Sequence, residues 1–579
     1  MLALAAWVLV SGADDVFIGI CRLVLRKNVA CPPAAALDAA AERRIAILVP
    51  LWREHAVIGK MLERTVSTVR YGAYDIFVGV YPNDYLTVRA VTEAARVHPG
   101  IRVIRLPHPG PTSKGDCLNW AFRGMQQHEE RTGQSYEIIV THDAEDIVHA
   151  DSLRIINWFA ADHAMVQVPV LALATPGYEL THGVYCDEFA EYQQKDIPVR
   201  QALGGFLASN GVGCGFERNA LDRLAGSRGG QVFDPSSLTE DYENGLLLHA
   251  MGYRQIFVPV RFQDGAPVAT REYFPRNWSA AVRQRSRWIA GITLQGWQRH
   301  GWRAPLRQCY WLWRDRKGLV GNLLSPVSAF GYWYCALNWE SLSAAAPWIP
   351  ALYTALLGVS TVQIGMRTWA ARRVYGWEFA MLAPLRAAWG NALNFHATLR
   401  ALGQFASAWA SGAALRWQKT EHSFPAHSPS APGRQRLGEV LVRLRRVERR
   451  ELDAALETLP AGTRLGEHLI HLRKLTEDDL YQALSSQTGI PLGAPAEHEV
   501  NAMAARMLPA KTVQRWRVLP YRVSMGQLHV ATTEAPTEDM LRELSQASPL
   551  ELRFRLILPE EFRKLAQLAA TETGGDRNL

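Results

Sequence analysis

A chain of 579 residues is too long for one ordinary hydrophobic core, so at least three units are expected, and its 48% apolar and 20% charged content suits folded units rather than disorder. The net charge is +8, but Lys and Arg form no single basic tract with interleaved stacking aromatics, which argues against nucleic acid, while many of the 19 Trp flank long apolar runs as membrane-interface aromatics do. The seven cysteines (Cys21, Cys31, Cys117, Cys186, Cys214, Cys309 and Cys335) form neither a CxxC pair nor a metal-like cluster with histidine, which fits a reducing compartment.

Residues 1–42 read as a membrane-associated segment. Met1–Val10 is almost wholly apolar, but Asp14 and Asp15 interrupt the run before the roughly 20 residues of a bilayer span are reached. There is no basic n-region and no convincing small-residue cleavage site, so a partial anchor is expected rather than a removable signal peptide.

Residues 43–310 read as a soluble α/β block. IAILVPL (45–51), DIFVGVY (75–81), IRVIRL (101–106) and YEIIVTH (136–142) are candidate buried strands separated by helix-length polar segments, the pattern of a mostly parallel sheet whose ligands bind at the carboxyl ends of the strands. DIFVGVY ends in Pro82, Asn83 and Asp84, either an Asx turn or a carboxylate for a base or ribose. YEIIVTH runs into Asp143, Ala144, Glu145 and Asp146, either a solvated turn or oxygen ligands for Mg²⁺ or Mn²⁺ with substrate phosphates. TSKGDCLN contains Lys114 but lacks the GxxxxGK spacing of a nucleotide-triphosphate loop. The glycines of NGVGCGFER (210–218) allow close backbone approach to a ligand or serve a plain loop. Thr239, Glu240 and Asp241 supply a candidate base, and Gln284, Arg285, Ser286, Arg287 and Trp288 supply cationic and aromatic groups.

Residues 311–422 carry the membrane elements. The uncharged stretches 319–339 and 348–366 are each about long enough to cross the hydrocarbon core, and Arg314, Arg316 and Lys317 before them and Arg367, Arg372 and Arg373 after them place both flanks in the cytoplasm. Residues 375–402 are apolar but hold Glu378, Arg386, Asn391, Asn394 and His396, so an interfacial helix is expected. SFPAHSPSAPG (423–433) reads as a linker. In the last domain, 434–579, RLGEVLVRLRRVERRELDAAL (436–456) recurs 28 residues later as RLGEHLIHLRKLTEDDLYQAL (464–484), a repeat whose copies could simply bury one another's apolar faces. The strand-like VLPYRVSMGQLHVATTE and ELRFRLIL, followed by EEFRKLAQLAA, complete a small α+β unit.

The ordered set YPND, DAED, TED and QRSRW resembles the D, DxD, TED and QxxRW motifs of membrane-bound, family 2, GT-A-fold glycosyltransferases. The resemblance implies an inverting hexosyl- or N-acetylhexosaminyl-transferase. Asp84, Lys114, Asp143 and Arg287 would bind a UDP-sugar donor; Asp143 with Glu145 or Asp146 would hold Mg²⁺ or Mn²⁺. Asp241 would be the general base with Glu240 beside it, and Gln284 and Trp288 would frame the acceptor or diphosphate. Glu145 stands where the second Asp is usual. With SGADD, REYFP and the terminal repeat, nearly the whole chain is similar to inner-membrane glycosyltransferases associated with phage-adsorption outer-membrane proteins. That implies a surface glycan or exopolysaccharide product, a glycan or lipid acceptor, and an outer-membrane export or phage-receptor partner. The repeat resembles the N-terminal domains of type II secretion and MSHA pilus export ATPases, which implies cyclic di-GMP binding through Arg436, Leu437, Gly438, Arg464, Leu465, Gly466 and Gln487. Here Arg445 and Arg473 stand where those motifs carry Gly, and Leu459 replaces a Gln that Gln487 retains. The expected architecture is therefore a GT-A-type α/β sheet, transmembrane and interfacial helices, and a C-terminal α+β repeat domain. Two alternatives remain: transfer of one sugar to a lipid carrier, and a non-catalytic membrane scaffold responsive to cyclic di-GMP.

Overall fold

The computed structural model describes residues 2–25, 32–258, 268–346, 348–412, 415, 424 and 437–572, except 445, 461, 489, 497–498, 502–503, 505–506, 525–526 and 549. The expected linker, except Phe424, and Arg436 lie outside the described residues. Two compact units are present, Met1–Pro425 and Ala426–Leu579.

The first unit is built on a sheet containing β1 (Ile45–Pro50), β2 (Tyr74–Val80), β3 (Ile101–Arg105), β4 (Ile138–Thr141), β5 (Met165–Gln167), β7 (Cys214–Glu217) and β8 (Gln255–Phe257), in the order β3-β2-β1-β4-β7-β5-β8. Pairing is parallel from β3 to β4, antiparallel where β7 joins β4 and β5, and parallel again at β8, so the sheet is mostly parallel as expected. Alternation along the strands feeds two cores. Ile45, Ile47 and Val49 join Ile76, Val78, Ile138 and Val140 on one face. Ala46 and Leu48 join Phe77 and Ile139 on the other. Both faces are covered, which is why these strands read as continuous apolar runs. Because β1, β2 and β4 run the same way, the loops after them gather along one edge of the sheet. A small parallel pair, β6 (Val170–Ala172) with β9 (Thr270–Glu272), adds a further wall there.

Two helices among the described residues are long and apolar enough to cross a membrane by length and composition: Leu2–Val24 (mean hydropathy 1.7) and Trp348–Tyr375 (1.4). The first runs unbroken through Asp14 and Asp15, where the sequence suggested an interruption. Asp14 pairs with Arg314 and, at 2.8 Å, with Lys317; Asp15 lies 2.7 Å from Lys317, and Arg314 also reaches Asp196 at 2.7 Å. Compensated in this way, the two carboxylates no longer forbid a continuous helix. Gly12 and Gly19 allow the helix to meet Trp348–Tyr375 closely, since a Cβ at these positions would lie 2.1 Å from Val359 and 2.4 Å from Met366. Most of the expected span 319–339 lies in the helix Leu306–Leu337, which is not one of the two helices apolar enough over a membrane-spanning length; it contains Gly, Ser, Pro and Asn and exposes Phe330, Trp333 and Leu337.

The segment 375–402 expected to be interfacial comprises the short helix Trp377–Ala380 and most of the helix Ala383–Ser411. The inner face of the longer helix buries Arg386, Gly390, Leu393, Ala397 and Ala401, while Leu385, Trp389, Leu399 and Trp409 stay exposed. Arg386 is fully buried and makes a two-pronged bond to Asp187 at 2.7 and 2.9 Å on the helix Leu180–Glu191.

In the second unit each repeat copy is a pair of helices, Leu437–Arg443 with Arg449–Glu457 and Leu465–His471 with Glu477–Thr488. A three-stranded sheet follows: β10 (Val518–Ser524) antiparallel to β11 (Gln527–Thr532), and β11 parallel to β12 (Glu551–Leu556). The helix Pro559–Glu572 closes the unit.

Candidate active site

A cleft opens at the carboxyl edge of the first sheet, and the sequence motifs meet there: Lys114, Asp143, Glu145, Glu240, Asp241, Gln284, Arg287 and Trp288 all line it. Lys114 begins the helix Lys114–Thr132, whose amino end is capped by the Ser113 hydroxyl accepting from the Asp116 N–H at 3.2 Å. Its ammonium lies 2.7 Å from Asp143 Oδ1 and 2.8 Å from Oδ2. Burial opposes that charge, but Asp143, Glu240 and Asp241 outweigh burial and lift the lysine above its ordinary pKa.

The acidic turn after β4 divides its carboxylates between two directions. Asp143 and Glu145 line the cleft, whereas Asp146 does not and turns inward. Its Oδ2 lies 2.6 Å from His142 Nδ1 and accepts from the Asp143 N–H at 3.0 Å. Burial raises the Asp146 carboxyl well above the ordinary range and lowers His142 to about 4, so the buried pair is held neutral around a shared proton.

Glu240 and Asp241 open the helix Glu240–Ala250, whose dipole favours negative charge at that end. Burial first, and the Asp241 charge second, push Glu240 up to about 7; burial also raises Asp241. Gly211, at φ +79°, packs on Asp241: a Cβ there would lie 2.4 Å from Asp241 Oδ2 and 3.4 Å from Lys114 Nζ, so the carboxylate and the lysine flank one glycine.

The helix Trp278–Trp288 carries Gln284, Arg287 and Trp288 at i, i+3 and i+4, one face turned to the cleft. Arg287 donates to the Leu238 carbonyl at 3.1 Å, tying this helix to the loop before Glu240. Arg285 points the other way, to Glu188 at 2.8 Å and Asn394 at 2.7 Å. Trp288 is held by Tyr185, Phe189 and Phe274, with ring centroids 6.0 to 6.3 Å away.

Asp84 is absent from the cleft lining. It caps the helix Tyr85–Val97 and accepts from the Arg53 N–H at 2.5 Å, holding Arg53 at φ +56° between the lining residues Trp52 and Glu54. Further residues complete the wall: Trp52 and Glu54 after β1, which no sequence motif singled out, and Tyr81, Asn210, Glu272 and Phe274, which lie inside YPND, NGVGCGFER and REYFP but carried no role there. For Trp52 and Glu54, position just beyond a strand end was the available signal.

Among the described residues no group of three or more His, Cys, Asp or Glu is gathered tightly enough to hold a metal with protein ligands alone. The charge balance nevertheless calls for a cation. Six carboxylates line the cleft (Glu54, Asp143, Glu145, Glu240, Asp241, Glu272) against Lys114 and Arg287. Asp143 and Glu145 offer the hard oxygen ligands that a divalent ion such as Mg²⁺ or Mn²⁺ would take.

A mostly parallel sheet with the Glu240–Asp241 pair, Lys114, an acidic turn and an Arg/Trp face at its carboxyl edge defines a family 2 glycosyltransferase, and residues 42–291 match the family described as Glycosyltransferase like family 2. Residues 488–573 match the MshEN domain, a span that begins just after the repeat. The chain is 32% identical over 593 aligned positions to bacteriophage adsorption protein B of Escherichia coli K12, covering 96% of this chain and 80% of that protein, with the same figures for bacteriophage N4 adsorption protein B of Escherichia coli O157:H7. It belongs to the adsorption protein B family. Among solved structures it is similar to mannosyltransferase PcManGT from Pyrobaculum calidifontis in complex with GDP-Man and Mn²⁺ (18% identity, 67% of this chain and 99% of that one, TM-score 0.41). It is also similar to MshE with cdg (25% identity, 23% of this chain and 99% of that one, TM-score 0.22).

Proposed function

We propose that the protein is an inverting transferase that moves a hexosyl or N-acetylhexosaminyl unit from a UDP-sugar to a growing surface glycan at the cytoplasmic face of the inner membrane, under control of cyclic di-GMP. The observation that carries this reading is the meeting of Asp241, Lys114, Asp143, Glu145, Arg287 and Trp288 in one cleft from four separate segments of the chain. The acceptor hydroxyl attacks the anomeric carbon opposite the diphosphate and gives its proton to Asp241; the new C–O bond forms as the bond to the phosphate oxygen breaks and UDP leaves. Burial makes Asp241 a stronger base than an exposed carboxylate. Lys114 and Arg287 meet the charge that develops on the departing diphosphate. Asp143 and Glu145 would hold Mg²⁺ or Mn²⁺, which when bound adds Lewis-acid stabilisation of that charge. Trp288 offers an apolar face to a sugar ring.

Asp241→Asn keeps the shape and removes the base, so membranes given radiolabelled UDP-sugars should bind donor as before and transfer it about 10²- to 10⁴-fold more slowly. Wild-type turnover in that variant would sink the assignment. Polymer released from limiting acceptor supports glycan extension; a single added sugar on lipid supports the carrier alternative.

A further inference from the structure

Both oxygens of Asp143 are committed to the Lys114 ammonium, at 2.7 and 2.8 Å. The pair is partly enclosed, with the two side chains 17% and 28% exposed. A hard cation needs at least one of the same oxygens at roughly 2.0 to 2.6 Å. An ammonium and a divalent ion on one carboxylate would be like charges within a few ångströms, shielded little by solvent. Lys114 therefore has to leave Asp143 when a cation arrives, and its flexible four-carbon stem permits a short swing. Its alternative partners are anions. Staying in an acidic cleft beside a new dication is unfavourable, whereas a donor phosphate at the amino end of its own helix offers a negative partner and a favourable dipole.

We propose that Lys114 and the divalent cation are alternative occupants of Asp143, and that the ammonium passes from Asp143 to the donor diphosphate as cation and donor bind. The proposal rests on Asp143 being the cation ligand. It makes Lys114 a gate: the cation alone must break the direct Lys114–Asp143 pair and leave the ammonium only the through-space attraction of Glu240 and Asp241, while cation and donor together give it a direct anionic partner again. The two ligands then strengthen each other's binding by the same factor. A lysine that only braced the acidic turn would have the opposite effect, because its removal would loosen Asp143 and weaken cation binding.

The test measures free Mn²⁺ by electron paramagnetic resonance with the purified full-length protein, with and without UDP. Wild type should bind Mn²⁺ weakly alone and about tenfold or more tightly with saturating UDP. Lys114→Met should bind Mn²⁺ alone about tenfold more tightly than wild type and lose most of the UDP dependence, while Lys114→Arg should behave as wild type. Mn²⁺ binding by Lys114→Met that is unchanged or weaker than wild type overturns the exchange. If Lys114→Met does not fold, Lys114→Gln takes its place, and Mn²⁺ binding by wild type that is indifferent to UDP overturns the proposal by itself. Asp143→Asn separates the two readings. If it leaves Mn²⁺ binding intact, the cation site is elsewhere and both fall; if it abolishes binding while Lys114→Met binds no more tightly, only the exchange falls.

Discussion

Gly211 sits at φ +79° with the Asp241 carboxylate where its Cβ would be. Ala at that position meets a left-handed backbone penalty of about 1 to 2 kcal/mol and also displaces the base. We expect Gly211→Ala to lower kcat by about 10- to 100-fold with donor affinity nearly unchanged, measured by steady-state kinetics beside donor titration. The glycines of NGVGCGFER were legible as positions of close approach, but what approaches comes from residues far along the chain: Asp241 at Gly211 and Thr270 at Gly213. The choice between Glu145 and Asp146 was equally illegible, because it depends on a buried His142 that captures one carboxylate. Glu240 makes a second expectation testable. It sheds its proton near pH 7, and its charge then makes Asp241 more basic, so kcat/KM should rise as pH increases through about 7, and Glu240→Gln should flatten that rise in a pH–rate profile. Between the ordinary 4.5 and about 7, folded Glu240 keeps a proton that the unfolded chain has lost, so folding stability falls as pH rises across that window.

The element that couples the cleft to the expected membrane surface is the helix Trp278–Trp288. One face carries Gln284, Arg287 and Trp288 to the cleft, and the opposite face bonds through Arg285 to Asn394 on the helix Ala383–Ser411. A π-helical stretch, Ile289–Gln295, follows at once, and Gly291 lets it touch Thr239, where a Cβ would lie 2.6 Å from the hydroxyl. The motif spacing showed which residues share a face, but not that Arg285 serves the reverse side, since a helix is anchored by whatever packs behind it. The same helix, Ala383–Ser411, depends on the buried Arg386–Asp187 pair. Asp187→Ala should leave a fully buried guanidinium without its carboxylate and cost about 3 to 5 kcal/mol, read as a large fall in the thermal midpoint in detergent; Asp187→Ala with Arg386→Met should recover part of it.

At the scale of the whole molecule, the second unit carries its repeat as two matched helix pairs. Gly438 and Gly466 play the same part in each copy, for a Cβ would lie 2.8 Å from Leu452 and 2.6 Å from Leu480, so both motif glycines serve helix crossing. Arg473 occupies φ +54°, the left-handed conformation that explains why the related motifs carry Gly there. Arg464 is exposed and pairs with Glu534 at 3.3 Å, a surface contact worth little and easily exchanged for a ligand phosphate. Titrating cyclic di-GMP onto the full chain should raise transferase activity, and Arg464→Ala should raise the half-saturating concentration by about 10- to 150-fold. An unchanged midpoint would leave the repeat as a packing device.

On the proposed membrane reading, the pairing of Asp14 with Arg314 also bears on how the protein is made. The partners lie 300 residues apart, and at about 5 to 20 residues per second the ribosome needs about 15 to 60 s to travel between them. Throughout that interval the nascent first helix holds Asp14 and Asp15 without Arg314 and Lys317, their direct ion-pair partners. Chains arrested before that point would be the ones exposed to membrane quality-control proteases, so completion of synthesis itself selects which copies persist.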